Sequence, residues 1–190
     1  FLTACLAYLM CRQQDVVGLV AFDEKIRLHL TPASSPSHLD RIFTGLEKLT
    51  PGKGTAVAKT FHELAEKIAK RGLIIVISDL YDEPEQIIRA LQHFCYKKHQ
   101  LILFHIFDRA ELEFPFKGIT NFIDLETGSK IQVDPALLRE PYRQEIARFI
   151  DWYRNQCSDR RIEYVLTTTD EPYDLMLLNY LARRRTLLRR

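Results

Sequence analysis

The stretch Leu73–Asp79, "LIIVISD", decides the fold. Five apolar residues run without a polar break into Ser78 and Asp79. A strand with no polar alternation needs cover on both faces, as in a parallel sheet flanked by helices. Its neighbours on either side read as helices. Upstream, Val57, Phe61, Leu64, Ala65 and Ile68 form a helical stripe that Gly72 ends, with Glu63–Lys67 and Glu66–Lys70 spaced to pair on the wet face. Downstream, Asp82 with Glu85 reads as a capping box and Pro84 lies in the first turn. Ile87, Ile88, Leu91, Phe94 and Cys95 follow as the core stripe, and "HQLILFHIF" (residues 99–107) is the next strand.

The same alternation extends outward. "FLTACLAYLMCRQQ" (1–14) reads as a helix with Leu2, Leu6, Leu9 and Met10 on one face. "VVGLVAF" (16–22), a turn at Asp23–Lys25 and the alternating "KIRLHL" (25–30) predict a β-hairpin. Ser35-Pro36 opens a helix striped by Leu39, Ile42, Phe43, Leu46 and Leu49. Residues 108–133 break the rhythm, with a second strand–turn–strand centred on Thr127-Gly128. Asp134-Pro135 predicts a short helix. Pro141 predicts a longer one to Cys157, with Ile146, Phe149, Ile150 and Tyr153 inward. "RIEYVLTTT" is the last strand, and Asp170-Glu171-Pro172 opens a final helix carrying Leu175, Leu178 and Leu181. The expected architecture is a single α/β domain over residues 1–190: a doubly wound, mostly parallel sheet with one antiparallel edge hairpin.

Composition suits one such domain: 190 residues, 46% hydrophobic and 27% charged. The formal charge of +2 and the lack of a long basic block argue against a nucleic-acid partner. The arginines at 183–185, 189 and 190 read as a solvated helix end. Cys5, Cys95 and Cys157 fall at apolar helix positions and no C-x-x-C occurs, so a reduced, cytoplasmic protein is expected. No apolar run is long enough to span a bilayer, and no membrane partner is expected.

In doubly wound sheets, ligands bind beyond the carboxyl ends of the strands. Two candidate groups meet that test. Thr55 lies in the glycine turn Gly52-Lys53-Gly54 at a helix N-terminus, and Asp79 follows Ser78 at the end of the strongest strand. A hydroxyl and a carboxylate are hard oxygen ligands, suited to Mg²⁺, Mn²⁺ or Ca²⁺, though two are too few to hold an ion alone. Helix capping by Thr55 and a plain turn at Asp79 are the competing reading. The loop is not a phosphate loop, because Glu47 stands where the first glycine would be and Gly54 follows the lysine. The six histidines form no H-E-x-x-H and read as surface or strand-end residues, and no G-x-S-x-G elbow occurs.

The ordered segments "AYLMCRQQDVVGLVAFDEKIRLHLTP", "LTPGKGTAV", "LIIVISDLYDEPEQIIRAL", "FDRAELEFPFKG", "NFIDLETGSKIQVDP" and "TTTDEPYDLMLLNYLARR" resemble the von Willebrand factor type A fold. They are closest to its bacterial branch, the domain of unknown function 58 family. The resemblance implies a metal-ion-dependent adhesion site in which Thr55 and Asp79 supply two of three ligand loops, flanked by Gly52, Lys53, Gly54 and Ser78. Lys53 departs from the family's paired glycines. The third loop, D-x-S-x-S, is absent, and the family would place it before Phe1 on a strand between "VVGLVAF" and "LIIVISD". The chain is therefore expected to lack its first central strand and to bind little metal by itself; either it is stabilised by oligomerisation or rearrangement, or it begins late in a longer protein.

The expected function is a metal-dependent protein-interaction module, not an enzyme. A partner's Asp or Glu would complete the ion's coordination, and the resemblance implies a MoxR-type AAA+ ATPase as partner. The alternatives are a scaffolding domain with a degenerate site, and a metal-assisted phosphohydrolase using Asp79, Asp82 and Asp108.

Overall fold

A computed structural model describes residues 1–50, 52, 57–124 and 128–187, the side chains of 183–187 excepted. The described elements run α1 (Leu2–Arg12), β1 (Val17–Phe22), β2 (Ile26–Ala33), α2 (Pro36–Glu47), α3 (Val57–Lys67), β3 (Leu73–Ser78), α4 (Pro84–Tyr96) and β4 (Gln100–Phe107). They continue with α5 (Arg109–Glu113), β5 (Thr120–Ile123), β6 (Lys130–Val133), α6 (Pro135–Asp159), β7 (Glu163–Thr168) and α7 (Tyr173–Leu187).

β3, β4 and β7 form a parallel sheet in that order, with Leu73 beside Gln100 and Ile102 beside Glu163. Alternate residues face opposite layers, and each layer is helix-covered, so the chain is α/β and doubly wound. On one side Val76, Leu101 and Leu103 pack with Val57, Phe61, Leu64 and Ala65 of α3, Ile87, Leu91 and Phe94 of α4, and Tyr153 and Cys157 of α6. On the other, Ile102 and Phe104 pack with Leu6 of α1 and Met176, Leu177 and Tyr180 of α7.

β1 and β2 pair antiparallel as a separate ladder, and β5 and β6 make a second hairpin. Among the described residues neither β1 nor β3 has a strand on its other edge. Side chains bridge the two ladders instead. Ala7 of α1 packs with Leu19, Leu30 and Ile42 over the hairpin, one residue after Leu6 packs on the parallel sheet. On the opposite layer Phe61 sits edge-on to Phe22 of β1 at 5.3 Å and to Phe94 of α4 at 6.3 Å.

Several local expectations need correction. α6 is one 25-residue helix with Pro141 inside it, not two helices. Proline removes one backbone bond, and the orphaned carbonyl belongs to Leu137, which is 77% exposed and open to water. α7 turns inward through Met176, Leu177 and Tyr180, leaving Leu175, Leu178 and Leu181 exposed. Asp82 does not cap α4, whose N-cap is Glu83 with no side-chain bond. Glu66 pairs across to α4, with Lys97 at 3.0 Å and His93 at 2.9 Å, rather than with Lys70.

Candidate functional site

The carboxyl ends of β3, β4 and β7 meet at one edge, where a polar network joins all three. Directly after β3, Leu80 is fully buried at φ 58°, in the left-handed region that L-residues avoid. Polar side chains brace this turn. Ser78 Oγ accepts from Leu80 N–H at 3.0 Å, and Asp82 N–H donates to Leu80 O at 2.9 Å. Burying Leu80 in the core forces the sharp reversal that leaves Asp79 exposed at the edge.

Asp79 Oδ1 accepts weakly from Tyr81 N–H and Ser78 Oγ, both at 3.5 Å. Its carbonyl is held more firmly, accepting from His105 Nε2 at 3.1 Å. A carbonyl can only accept, so Nε2 carries the proton, and Nδ1 then accepts from Tyr164 Oη at 2.8 Å. His105 is fully buried among the rings of Phe107, Phe149, Tyr153 and Tyr164. Burial pushes its pKa down to about 4, outweighing the Asp79 bond that favours the charged form.

The expectation of surface or strand-end histidines is thus wrong for His105, inside β4, and for His38, inside α2, while His99 stands directly before β4 as a strand-end residue but is buried. His38 and His99 are buried as well: His38 Nε2 bonds Val17 O at 2.7 Å, and His99 Nδ1 accepts from Gly72 N–H at 3.2 Å. Strand alternation carried the signal for His105, which falls on the same helix-covered face as Leu101 and Leu103.

The other strand ends join the same rim. Glu111 accepts from Asp108 N–H at 2.7 Å and from Tyr81 Oη at 3.3 Å, linking the exits of β4 and β3. Burial, with the Glu111 charge beside it, pushes the Tyr81 phenol up to about 12. Asp108 caps α5 through Ala110 N–H at 2.8 Å and accepts from Thr169 Oγ1 at 3.0 Å. Arg109 Nε donates to Asp170 at 2.5 Å, and hydrogen bonds from Thr168 and Arg109 hold that carboxyl below its ordinary pKa.

Asp82 reaches sideways. Its Oδ2 accepts from Ala58 N–H in the first turn of α3 at 3.4 Å, so the start of α3 lies against the turn that carries Asp79. Thr55, Lys53 and Gly54 lie outside the described residues. Gly52 is described, and it packs on the β1–β2 turn. A Cβ there would land on Asp23 Oδ2. Asp23 cannot easily yield, because it accepts from Arg27 Nε at 2.6 Å and from Lys25 N–H at 3.1 Å. Burial works to raise the Asp23 pKa, and these two partners together outweigh it, holding the carboxyl below its ordinary value. Gly52→Ala should therefore cost about 1–3 kcal/mol of stability, read as a lowered urea midpoint.

Of the proposed carboxylate set, Asp79 and Asp108 are exposed and Asp82 is half-buried; Asp82 and Asp108 are engaged in structural bonds, whereas Asp79 makes only the two weak ones. Among the described residues no three His, Cys, Asp or Glu side chains converge as ion ligands. The described donors fit one carboxylate arm of a cation site, and further oxygens would have to complete it.

Residues 1–152 match the family described as "Protein of unknown function DUF58". Two crystal structures from Bacteroides share the fold. One is an aerotolerance-related membrane protein of Bacteroides fragilis carrying multiple mutations to serines, 17% identical, with a TM-score of 0.55 over 93% of this chain and 84% of that one. The other is the conserved hypothetical protein BatB of Bacteroides thetaiotaomicron, 18% identical, with a TM-score of 0.54 over 96% of this chain and 87% of that one. No curated protein matches the chain. Among the described residues no helix is long and apolar enough to cross a membrane.

Proposed function

The chain belongs to the DUF58 family, and on that premise we propose that it is a metal-ion-dependent protein-interaction module of von Willebrand factor A type. The observation that carries this reading is the placing of Asp79: exposed at the end of a central strand, with its backbone pinned by a buried histidine and its neighbours tied to the start of α3. Rigid presentation of an exposed, weakly bonded carboxylate next to a helix N-terminus is what an oxygen-ligand site requires. Asp79 and Thr55 would hold Mg²⁺, Mn²⁺ or Ca²⁺ together with oxygens from a segment of D-x-S-x-S type. The bound ion supplies an open position for a carboxylate of the partner. The protein partner would be a MoxR-type AAA+ ATPase, met in the cytoplasm during assembly or maturation of a complex, and the role is binding, not catalysis.

The test is calorimetric titration with Mg²⁺ of the full-length protein and of its Asp79→Ala variant, with capture of the ATPase measured in parallel. The parent should bind the ion and capture the partner only in its presence. Asp79→Ala should weaken both at least about tenfold without lowering the urea midpoint, since the carboxylate makes only weak local bonds. No ion-dependent heat, together with equal capture by parent and variant, sinks the reading.

A further inference from the structure

The parallel sheet has a second shared feature, at the end opposite Asp79. β3 begins at Leu73, β4 at Gln100 and β7 at Glu163. In each case the third and second residues before the strand are both cationic: Lys70-Arg71, Lys97-Lys98 and Arg160-Arg161. The strands are adjacent and parallel in that order, so the pairs lie along one edge: Lys70-Arg71 stands level with Lys97-Lys98, and Arg160-Arg161 is set two residues further along, since Glu163 pairs with Ile102. Gln100 N–H donates to Gly72 O at 3.0 Å, and Gly72 N–H to His99 Nδ1 at 3.2 Å, which ties the first two loops together. At about 4.8 Å per strand the row is roughly 10 Å across.

Helix C-termini favour cations, and the macrodipole explains one near each last turn. Two further facts need another reason. Lys98 at φ 64° and Arg161 at φ 58° hold the left-handed positions that close α4 and α6, where glycine would avoid a Cβ clash. The closing bonds, His99 N–H to Phe94 O at 3.1 Å and Ile162 N–H to Cys157 O at 2.9 Å, are those of Schellman turns. Positive charge thus stands where the backbone alone would select glycine. In addition, Lys70, Arg71, Lys98 and Arg161 are exposed and take part in none of the described ion pairs. The other two cations are engaged: Lys97 with Glu66 at 3.0 Å, and Arg160 Nη1 with Gln156 O at 3.0 Å.

We propose that this edge docks on an anionic lipid surface. Tyr96, 74% exposed, and Leu73, 38% exposed, stand among the cations. A ring bearing a hydroxyl suits the headgroup level, and each unpaired cation adds attraction to acidic headgroups. A nucleic acid fits less well, because the row stops after three strands and no basic track continues along a backbone. An acidic polypeptide would match the charge but gives the exposed ring no apolar layer to enter. Docked this way, the sheet turns its Asp79 edge away from the lipid.

The test is flotation of the chain with vesicles of phosphatidylcholine, alone and mixed with phosphatidylserine, at low and physiological salt. Only the anionic vesicles should carry the chain, and salt should weaken the attachment. The Lys70→Gln, Arg71→Gln, Lys98→Gln, Arg161→Gln variant should lose at least about tenfold in affinity. Lys98→Gly with Arg161→Gly separates charge from fold: it should raise the thermal midpoint while still weakening attachment. The proposal is overturned if anionic vesicles leave the chain unbound, or if the glutamine variant floats as well as the parent. It is equally overturned if polyglutamate or duplex DNA is bound while vesicles are not.

Discussion

Replacing His105 with alanine should lower stability by about 3–5 kcal/mol, seen as a large fall in the urea midpoint. The loss has two parts. A ring vanishes from a cage of four aromatic side chains, and two partly buried groups, the acceptor Asp79 O and the donor Tyr164 Oη, are left without their partner. His105→Phe keeps the ring and loses only the bonds, so it should cost less, about 2 kcal/mol. Both variants should loosen the turn at Asp79 and, on the function proposed above, weaken ion binding. The parent should also show a pH slope. His105 has a pKa of about 4 when folded and an ordinary value of 6.5 when unfolded. Between those values the unfolded chain takes up a proton that the folded chain refuses. Its contribution is therefore full above about pH 6.5 and falls as pH drops toward 4, by up to about 3 kcal/mol. Urea titrations across that window should be flatter for His105→Phe than for the parent.

Phe61→Ala should cost a similar amount, about 3–5 kcal/mol, with a different spatial signature. Phe61 is 2% exposed and its ring lies between Phe22 of the β1–β2 hairpin and Phe94 of α4, in the cluster on which Val20 and Ile26 of the hairpin also pack. Hydrogen exchange should speed up first in β1 and β2, while the amides of β3, β4 and β7 keep most of their protection. Phe61→Leu, which fills part of the same volume, should recover about half of the loss in midpoint. Uniform loss of protection in both ladders would contradict the bridging role.

Residues with a strong period or a run of one character were legible from sequence. "LIIVIS" is β3 as read, residue for residue, and the stripe Val57, Phe61, Leu64, Ala65 is the buried face of α3. Ser35 caps α2, with its side chain accepting from His38 N–H. Misreadings arose where a tertiary partner overrode a local rule. Asp82 has the spacing of a capping box, yet Ala58 N–H and Glu83 N–H claim its two oxygens. Pro141 reads as a helix start, but enough turns on either side carry the helix through it. The phase of α7 was misread because leucine recurs on its wet side, and only the packed sheet selects Met176, Leu177 and Tyr180. Of the candidate site, Asp79 was legible from its place after a strand. The clamp formed by His105 and Tyr164 was not, because it joins residues 59 apart in the chain across two strands.

The separation of the two ladders carries a mechanical consequence. Hydrogen-bonded strands hold a register to the residue, whereas packed side chains tolerate small displacements. The boundary between β1 and β3, spanned by α1 on one layer and Phe61 on the other, is thus the plane along which the molecule can shear. Gly52 is seated on Asp23, on the hairpin side of that plane, and Ala58 is bonded to Asp82, on the sheet side. The segment between them carries Thr55. Sliding of the hairpin therefore changes the separation of Gly52 from Ala58, the two described residues that stand on either side of the plane.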